Sequence, residues 1–522
     1  MPIEASATTG PPANPEVLAP KPSAPRLTEV HGRIGAGEVH REAGALRGDL
    51  AFRRYVEPVS AASDPAALYR LGEKMLAASR PVYACSAIPA GYTYFGQFVF
   101  HDFTWLDLST GHPRNRSTGA LDLASVVGEG ACFVPVTGSG ATGGLLAIGL
   151  TEGSGALPED LPREASGCPM IADARNDDYL PLAQMHLLMI KFHNAVMRWH
   201  GLGGSGFDAA RARGDFVLHV QHLVIEDYLR RICEPGVYSD IRRHGRIFIH
   251  PEPFAAGEAF EVPLEFAAAA ARFGHSMIRD EYPAWNNVKA YPIPGYLEIF
   301  MKFSYRNRRP GGERLRALDR EWVTNWRRLF DFRNHFAGCG ASSCLMAAPI
   351  STRLPRALGA LPGYVVRDGE ATLSPQSTFS LAGHTLQRQH RFALADAQTV
   401  ISAVDRCLKR TPVPVLTPDQ LRSGESPAVQ RELEDSGFLT ATPLWFYVLK
   451  EADHSQNGQR LGPLGSRLVM ETVHAAIEAA ETSVLKLRAP WSPGLPRARA
   501  RRFAMPDLIA FSTNPEPGVP ER

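Results

Sequence analysis

The stretch Arg272-Phe273-Gly274-His275-Ser276-Met277-Ile278 follows an apolar, alanine-rich run from Val262 to Ala271. Such a run predicts a helix that is buried nearly all round, so the histidine near its end would face a dry interior. A single histidine on an apolar helix is more often a hydrogen-bonded core residue than a ligand. His275 therefore becomes a candidate ligand only if other polar residues point to the same place.

Charge and cysteine content narrow the class of protein. The 522 residues include 56 Lys and Arg against 54 Asp and Glu, a formal net charge of +2, which argues against a general polyanion or nucleic-acid binder. The seven cysteines are scattered and form no C-x-x-C pair. We therefore expect free thiols in a reducing compartment rather than a disulfide framework or a zinc site.

The ends of the chain differ in composition from its middle. Residues 1–30 are rich in Pro, Ala, Ser and Thr and predict a disordered leader without the basic start and apolar run of a secretory signal. No apolar window approaches the roughly 18 residues of a membrane span. We expect a cytoplasmic protein with one domain over residues 31–511 and a tail at 512–522.

Helical periodicity dominates the rest of the sequence, whereas strand patterns are few and short and no repeat is evident. The pattern predicts a mainly α fold, a single large helical domain with long loops. The predicted helices are 64–79, 180–199, 214–233, 262–277, 319–332, 442–450 and 461–487, the last being the longest.

Two further segments carry polar residues at helical spacing. Gln97 and His101 are four residues apart and would share one face of a helix, although, for this segment alone, an aromatic core helix with a polar edge is the better explanation. His186 and His193, seven apart on the helix 180–199, lack the carboxylates of a di-iron bundle. We expect those two histidines to be hydrogen-bonded core residues.

The segment from Gly111 to Gly167 is rich in Gly, Ser, Thr and Pro and predicts a long excursion of loops. Within it, every second position from 118 to 122 is occupied by one of three residues, Thr118, Ala120 and Asp122. Together with Asp102 they are candidate oxygen ligands for calcium. The same residues are also ordinary in turns, so the pattern leaves both interpretations open.

Several short motifs follow one another along the chain. They are Gln97-Phe98-Val99-Phe100-His101-Asp102, Asp173-Ala174-Arg175-Asn176-Asp177-Asp178, Arg272-Phe273-Gly274-His275, Leu386-Gln387-Arg388, and the segment from Thr442 to Pro463. In this order they resemble the animal-type haem peroxidase superfamily, which includes myeloperoxidase and prostaglandin H synthase, and especially its bacterial branch. The resemblance runs from about residue 31 to residue 511.

The resemblance implies haem b as cofactor, with His275 as the proximal iron ligand. The other ring nitrogen of such a ligand normally bonds to an acceptor that tunes the iron. In the family this acceptor is an asparagine, and Thr385 occupies the matching position here. A hydroxyl is a shorter anchor, and Asn334 or another amide is the alternative.

The resemblance also assigns roles on the opposite face of the haem. His101 would move the proton of hydrogen peroxide, Arg175 would stabilise the charge that develops as the O–O bond breaks, and Gln97 would order water or an anion. Arg388 and Arg272 would lie at the haem propionates or edge. The expected activity is oxidation of a phenol, a halide or another small reducing substrate by peroxide through a ferryl haem.

Departures from the family pattern limit what carries over. Phe100 and Tyr179 stand where mammalian members form an ester and a sulfonium link to haem, so we expect at most one covalent bond, an ester through Asp178. At the calcium loop Ala124 replaces a residue with an oxygen-bearing side chain, which weakens that expectation.

A second activity in the same superfamily is the fatty-acid dioxygenase or cyclooxygenase type, which uses a tyrosyl radical three residues before the proximal histidine. Arg272 occupies that position and favours the peroxidase. A haem-binding scaffold without turnover would have no need of His101, Gln97 and Arg175 together. The loops 111–167 and 282–305 are expected to line the pocket, and they leave the reducing substrate open.

Overall fold

A computed structural model of the chain describes most of residues 48–513. The described ranges are 48–58, 63–77, 85–108, 112–134, 144–255, 257–283, 285–286, 295–301, 303, 316–333, 344–367, 370–408, 412–498 and 502–513. Helices make up about half of the structure, which confirms the predicted mainly α class. The predicted leader 1–30 and most of the predicted tail lie outside the described residues.

The helices differ widely in length, from a single turn to 20 residues. In chain order they are α1 Pro65–Ala77, α2 Gly91–Phe103, α3 Ala124–Val127, α4 Leu180–Trp199, α5 Ala209–Leu223, α6 Arg230–Ile232, α7 Pro235–His244, α8 Gly274–Met277, α9 Leu297–Phe300, α10 Trp326–Leu329, α11 Leu381–Arg391, α12 Ala397–Cys407, α13 Pro418–Arg422, α14 Pro427–Asp435, α15 Leu444–Gln456, α16 Pro463–Ala479 and α17 Met505–Thr513.

The strands pair only with near neighbours, and all the named pairs are antiparallel. A three-stranded sheet has the order β1-β3-β2, and the pairs β4-β5, β6-β7 and β8-β9 are two-stranded. The strands are β1 Leu50–Ala51, β2 Leu106–Asp107, β3 Arg114–Asn115, β4 Phe133–Val134, β5 Leu145–Leu146, β6 Glu281–Tyr282, β7 Gly295–Tyr296, β8 Leu361–Arg367 and β9 Glu370–Phe379.

Four helices form the centre of the molecule because apolar side chains surround nearly their whole circumference. Every residue of α2 except Gln97 is buried, and α4, α15 and α16 are buried over most of their length. Helix α2 packs against α4, and α15 packs against α16. One continuous apolar core extends from Phe52 to Phe511, so these helices hold a rigid frame around the interior.

Helices α1 and α11 pack closely against each other. A Cβ atom on Gly72 of α1 would lie 2.5 Å from the backbone nitrogen of Gly383 in α11, so this crossing requires glycine. The Ser380 side chain accepts a hydrogen bond from Gly383 N and begins α11. Residues Thr385 and Arg388 are therefore carried on a helix whose position is fixed by backbone contact.

The alanine-rich run forms helical turns of three kinds instead of the continuous helix predicted over 262–277. A π turn covers Glu265–Ala269, a 3₁₀ turn covers Ala270–Phe273, and only Gly274–Met277 is α-helical. The predicted burial is correct for the run itself, because residues from Val262 to Ala270 are nearly inaccessible to solvent. Breaks of this kind often mark functional segments.

Glu265 ties the beginning of the described chain to this broken helix. Its carboxylate accepts hydrogen bonds from the backbone N–H groups of Tyr55 (2.9 Å) and Val56 (2.8 Å). The backbone of Arg53 also bonds to Val262 and Leu264. Burial raises the pKa of Glu265, and the two hydrogen bonds offset part of this effect by stabilising the buried carboxylate.

Other predicted elements are corrected in extent. The helix predicted over 319–332 is reduced to a 3₁₀ turn at Arg320–Trp322 and the four residues of α10. Among the described residues the longest helix is α4, with 20 residues, whereas the helix predicted over 461–487 spans only Pro463–Ala479, with 17. The β8-β9 hairpin was not predicted. Within the described residues no helix has the length and apolar character needed to cross a membrane.

Candidate functional site

A cavity beside α2 brings together most of the residues that the sequence singles out. It holds about 1320 Å³ of space not filled by atoms, part of it open to solvent. The predicted residues that line it are Gln97, His101, Arg175, Asp178, Arg272, His275 and Arg388. They come from four separate parts of the chain, so their meeting was not a consequence of closeness in sequence.

Gln97 and His101 share the face of α2 that borders the cavity, as their spacing predicted. The hydroxyl of Tyr179, which also lines the cavity, donates a hydrogen bond to Gln97 Oε1. The amide of Gln97 is therefore held in one orientation by a buried phenol. Burial, followed by the nearby Tyr282 and Asp178, raises the pKa of Tyr179 well above 10, so it remains a donor.

A chain of hydrogen bonds fixes the ring of His101. Its Nδ1 lies 2.9 Å from Asn176 Oδ1, and Asn176 Nδ2 lies 3.0 Å from His186 Nδ1. Because an amide oxygen only accepts, Nδ1 of His101 carries the proton and Nε2 is left as the basic nitrogen. Burial and the charge of Arg175 lower the pKa of His101 well below 6.5, so the ring is neutral near pH 7.

Arg175 is held rigidly in the 3₁₀ turn Ala174–Asp177. Its guanidinium bonds to Asp173 (Nη2 to Oδ2, 2.6 Å) and donates to the carbonyl oxygens of Thr104 and His101, each at 2.8 Å. The guanidinium carbon also lies 4.4 Å from the centre of the Trp105 ring. The cation is thus preorganised, and the adjacent Asp173 carboxylate compensates part of its charge.

The acidic residues that follow Arg175 have different surroundings. Asp177 forms a two-pronged ion pair with Arg163, at 2.8 and 2.9 Å, so it has a structural role away from the cavity. Asp178 is buried and borders the cavity. Of the two carboxylates, only Asp178 can meet a group bound there.

His275 reaches the cavity from α8, and an indole braces its surroundings. The ring of Trp445 lies edge-on to the His275 ring with 6.0 Å between centroids. Its Nε1 donates to the carbonyl oxygen of Arg272 at 3.1 Å, which fixes the turn before His275. Arg388, with 1% of its surface exposed, lines the same cavity from α11.

Thr385 does not make the contact expected of it. Its Oγ1 is buried and has no hydrogen-bond partner among the described residues, so it does not serve as the acceptor for the His275 ring in this structure. The alternative acceptor Asn334 lies outside the described residues. The proximal hydrogen bond predicted from the resemblance therefore has no support from Thr385.

Part of the cavity wall is apolar. Aliphatic or thioether side chains from several elements contribute to it, namely Met277, Ile278, Leu297, Met301, Leu358, Leu361 and Leu381. Of these, Leu297 and Met301 belong to the predicted pocket loop 282–305. A bound ligand would meet this apolar surface as well as the polar side chains, which favours flat or hydrocarbon groups.

The candidate calcium ligands lie outside this cavity, at the C-terminal end of α2. The Asp102 carboxylate accepts hydrogen bonds from Leu123 N (2.8 Å), Ser125 N (3.0 Å) and Ser125 Oγ (2.7 Å). Burial and the charge of Asp122 raise the pKa of Asp102. The Thr118 hydroxyl bonds to the backbone of Ala120. No cluster of three or more His, Cys, Asp or Glu able to hold a metal occurs among the described residues.

Sequence reasoning missed three residues that shape the site. Asn176 lies inside a motif already singled out, but its contact with His101 depends on the geometry of the 3₁₀ turn. Trp105 and Trp445 supply the ring contacts to Arg175 and His275. The core assignment of His186 and His193 is confirmed, since each is buried and bonded to an asparagine.

Comparison with known proteins gives one family and several similar folds. Residues 109–310 match the family model described as animal haem peroxidase. No curated protein sequence matches the chain.

Among solved structures, peroxidase A from Dictyostelium discoideum is similar with a TM-score of 0.54 and 15% identity, over 84% of this chain and 88% of that one. Fatty acid alpha-dioxygenase from Oryza sativa has a TM-score of 0.55 and 12% identity, over 84% and 77%. The Arabidopsis thaliana alpha-dioxygenase has a TM-score of 0.52 and 13% identity, over 85% and 74%. At these identities the likeness concerns the fold.

Proposed function

We propose that the chain, whose residues 109–310 match the animal haem peroxidase family model, is a haem peroxidase that uses hydrogen peroxide to oxidise a small organic or halide substrate. One observation carries the proposal: His101, Arg175 and His275, from three distant parts of the sequence, line a single cavity. A neutral imidazole, a fixed cation and a second imidazole are the groups that this chemistry requires.

The donor set of the cavity fits haem b. His275 offers one imidazole to the iron, and the buried guanidinium of Arg388 and the partly buried one of Arg272 suit the two propionate carboxylates. The aliphatic walls suit the apolar face of a macrocycle. When bound, haem would supply the iron that coordinates peroxide and accepts its oxidising equivalents.

The residues of the chain would then direct the proton. His101 Nε2 is the basic nitrogen, since Asn176 occupies Nδ1, and it can take a proton from peroxide and return it to the departing oxygen. Arg175 presents a fixed cation to the charge that develops on that oxygen. Gln97, held by Tyr179, would order a water molecule or a small anion beside His101.

The alternative activity is oxygenation of a fatty acid. Two observations favour keeping it as the second candidate: the apolar side chains in the cavity wall, and the likeness of the fold to fatty acid alpha-dioxygenases. Against it, Arg272 lines the cavity at the position where the resemblance implies a radical-forming tyrosine. The peroxidase is therefore the function that we propose.

Stopped-flow spectroscopy of the haem-loaded protein separates the two candidates. We expect a Soret band in the purified protein, a rapid spectral change on mixing with peroxide, and oxidation of guaiacol. His101→Ala should slow the reaction with peroxide by at least a hundredfold, because the base is lost. The exposed His454 provides the matched control His454→Ala, which should react as the wild type does. Oxygen uptake with palmitic acid and no need for peroxide would instead favour the dioxygenase.

Four sequence predictions about cofactors, location and partners remain part of the proposal. An ester between Asp178 and haem and a calcium ion at Asp102, Thr118, Ala120 and Asp122 are proposed additions to the haem site. A cytoplasmic location and the absence of a nucleic-acid partner rest on composition alone.

A further inference from the structure

Buried aromatic residues that can lose an electron lead away from the cavity. They are here called the aromatic relay, and they are Tyr179, Tyr94, Tyr282 and Trp285. Tyr179 lines the cavity. The exposed fraction is 6% for Tyr179 and 0% for the other three, so no member is in contact with bulk water.

Successive members of the relay are in contact. Ring centroids are 6.0 Å apart for Tyr179 and Tyr94, 6.1 Å for Tyr94 and Tyr282, and 6.0 Å for Tyr282 and Trp285. The hydroxyl of Tyr94 donates a hydrogen bond to the hydroxyl of Tyr282. Trp285 Nε1 in turn donates to the carbonyl oxygen of Trp322 at 2.9 Å, and Trp322 is partly exposed.

Packing alone does not account for these residue types. Helix α2 carries Phe95, Phe98 and Phe100 in equally buried positions, so a phenyl ring suffices to fill space there. A buried hydroxyl costs free energy unless it finds a partner, and Tyr94 and Tyr282 find one in each other. In these two residues the hydroxyl, which phenylalanine would lack, forms the contact inside the relay.

We propose that the aromatic relay carries electrons from Trp322 to the cavity, so that the protein oxidises one-electron donors too large to enter it. The proposal rests on the proposed peroxidase function, which supplies peroxide as the oxidant. Each peroxide takes two electrons and two protons to give two water molecules, and two donors of the phenol class each lose one electron and one proton at the surface. Every relay residue returns to its reduced, protonated form, so atoms and electrons balance.

The test compares a small donor with a large one. Guaiacol enters the cavity, whereas a phenol coupled to soluble dextran stays outside. We expect Trp322→Phe to lower oxidation of the dextran-linked phenol at least tenfold and to leave guaiacol oxidation within twofold. Trp326, four residues further and also partly exposed, packs against Phe330, and the Trp285 ring N–H is donated to Trp322 rather than to Trp326, so Trp326→Phe is the matched control.

A second measurement locates the oxidised residue without relying on turnover. After peroxide and a nitrone spin trap are added, mass spectrometry should find the adduct on Trp322 in the wild type. Tyr94→Phe, which keeps the ring and removes the hydroxyl, should reduce that adduct at least tenfold. Tyr282→Phe tests the same contact if the first variant does not fold.

The outcomes distinguish the relay from the peroxidase. Unchanged oxidation of the dextran-linked phenol in Trp322→Phe, or guaiacol oxidation without an adduct on Trp322, overturns the relay alone. A haem-loaded wild type that oxidises neither donor overturns the proposed function and the relay with it.

Discussion

Asn176 Oδ1 accepts a hydrogen bond from Nδ1 of His101, with 2.9 Å between the two atoms. The same amide donates to His186 Nδ1 at 3.0 Å, so its orientation is determined from both sides. Neither Asn176 nor His186 has measurable exposed surface. The consequence is a single tautomer of His101, with its basic nitrogen directed away from Asn176.

We predict that Asn176→Ala lowers the rate of reaction with peroxide tenfold to a hundredfold, about 1.4–2.7 kcal/mol, because His101 loses the acceptor that orients it. Asn176→Asp keeps an acceptor at the same place and should retain more of the rate. Stopped-flow mixing with peroxide gives the rate, and cyanide binding followed in parallel reports on the same nitrogen without turnover. Equal rates in the wild type and Asn176→Ala would show that the contact has no role in catalysis.

Haem attachment is predicted to depend on Asp178. If its carboxylate forms the one expected ester, acid-acetone extraction will leave part of the haem on the protein, and a pyridine haemochrome assay will measure that fraction. Asp178→Asn should release all the haem. Asp419→Asn, at a side chain that is 91% exposed, is the control and should behave as the wild type. Complete extraction from the wild type would exclude the ester.

Calcium is predicted to stabilise the folded protein through Asp102 and Asp122. Burial and, to a smaller extent, the charge of Asp122 raise the pKa of Asp102. A cation bound by both carboxylates would reduce the repulsion between them. Saturation at a hundred times Kd adds about 2.7 kcal/mol. Thermal unfolding in Ca²⁺ and in EGTA measures the effect, and Asp122→Asn should remove it. The same Tm in both solutions would mean that the hydrogen bonds from Leu123 and Ser125 are enough to satisfy Asp102.

A buried carboxylate in α15 predicts a dependence of stability on pH. Burial raises the pKa of Glu451 to about 7, although Leu464 N and Gly465 N donate to it. A carboxyl whose folded pKa is raised stabilises the fold fully below its unfolded pKa of about 4.5, and this stabilisation is lost as pH rises through about 7. The loss is on the order of 3 kcal/mol.

Glu451→Gln should therefore be more stable relative to the wild type at pH 8.5 than at pH 5.5, as measured by Tm at both values. Glu57→Gln, at a side chain that is 80% exposed, is the control and should show the same difference at both pH values. A Glu451→Gln difference that does not change with pH would contradict the assignment.

The sequence predicts much of the cavity lining because helical spacing is a local property. Gln97 and His101 four residues apart must share a face once α2 forms, and the apolar run that includes α2 ensures that it is buried. The ion pair between Asp177 and Arg163, by contrast, is a contact that no local pattern encodes.

Two parts of the fold escaped prediction for different reasons. Alanine and phenylalanine suit α, π and 3₁₀ turns alike, so the interruption of the helix between Glu265 and Phe273 left no trace in periodicity. The β8-β9 hairpin was not predicted because Pro362 and Pro375 argue against strands. Its signal was present nevertheless, since Asp368-Gly369 is a pair typical of hairpin turns.

The two N–H groups that Tyr55 and Val56 offer to Glu265 bear on where the protein can be shortened. Removing residues up to 47 leaves those donors in place, whereas a protease cut that releases residues 48–58 would strip a buried carboxylate of both. The carboxylate left without donors would destabilise the helical turns that lead to His275, although these turns lie far along the chain from the cut. We therefore expect loss of residues 48–58 to weaken retention of the cofactor first.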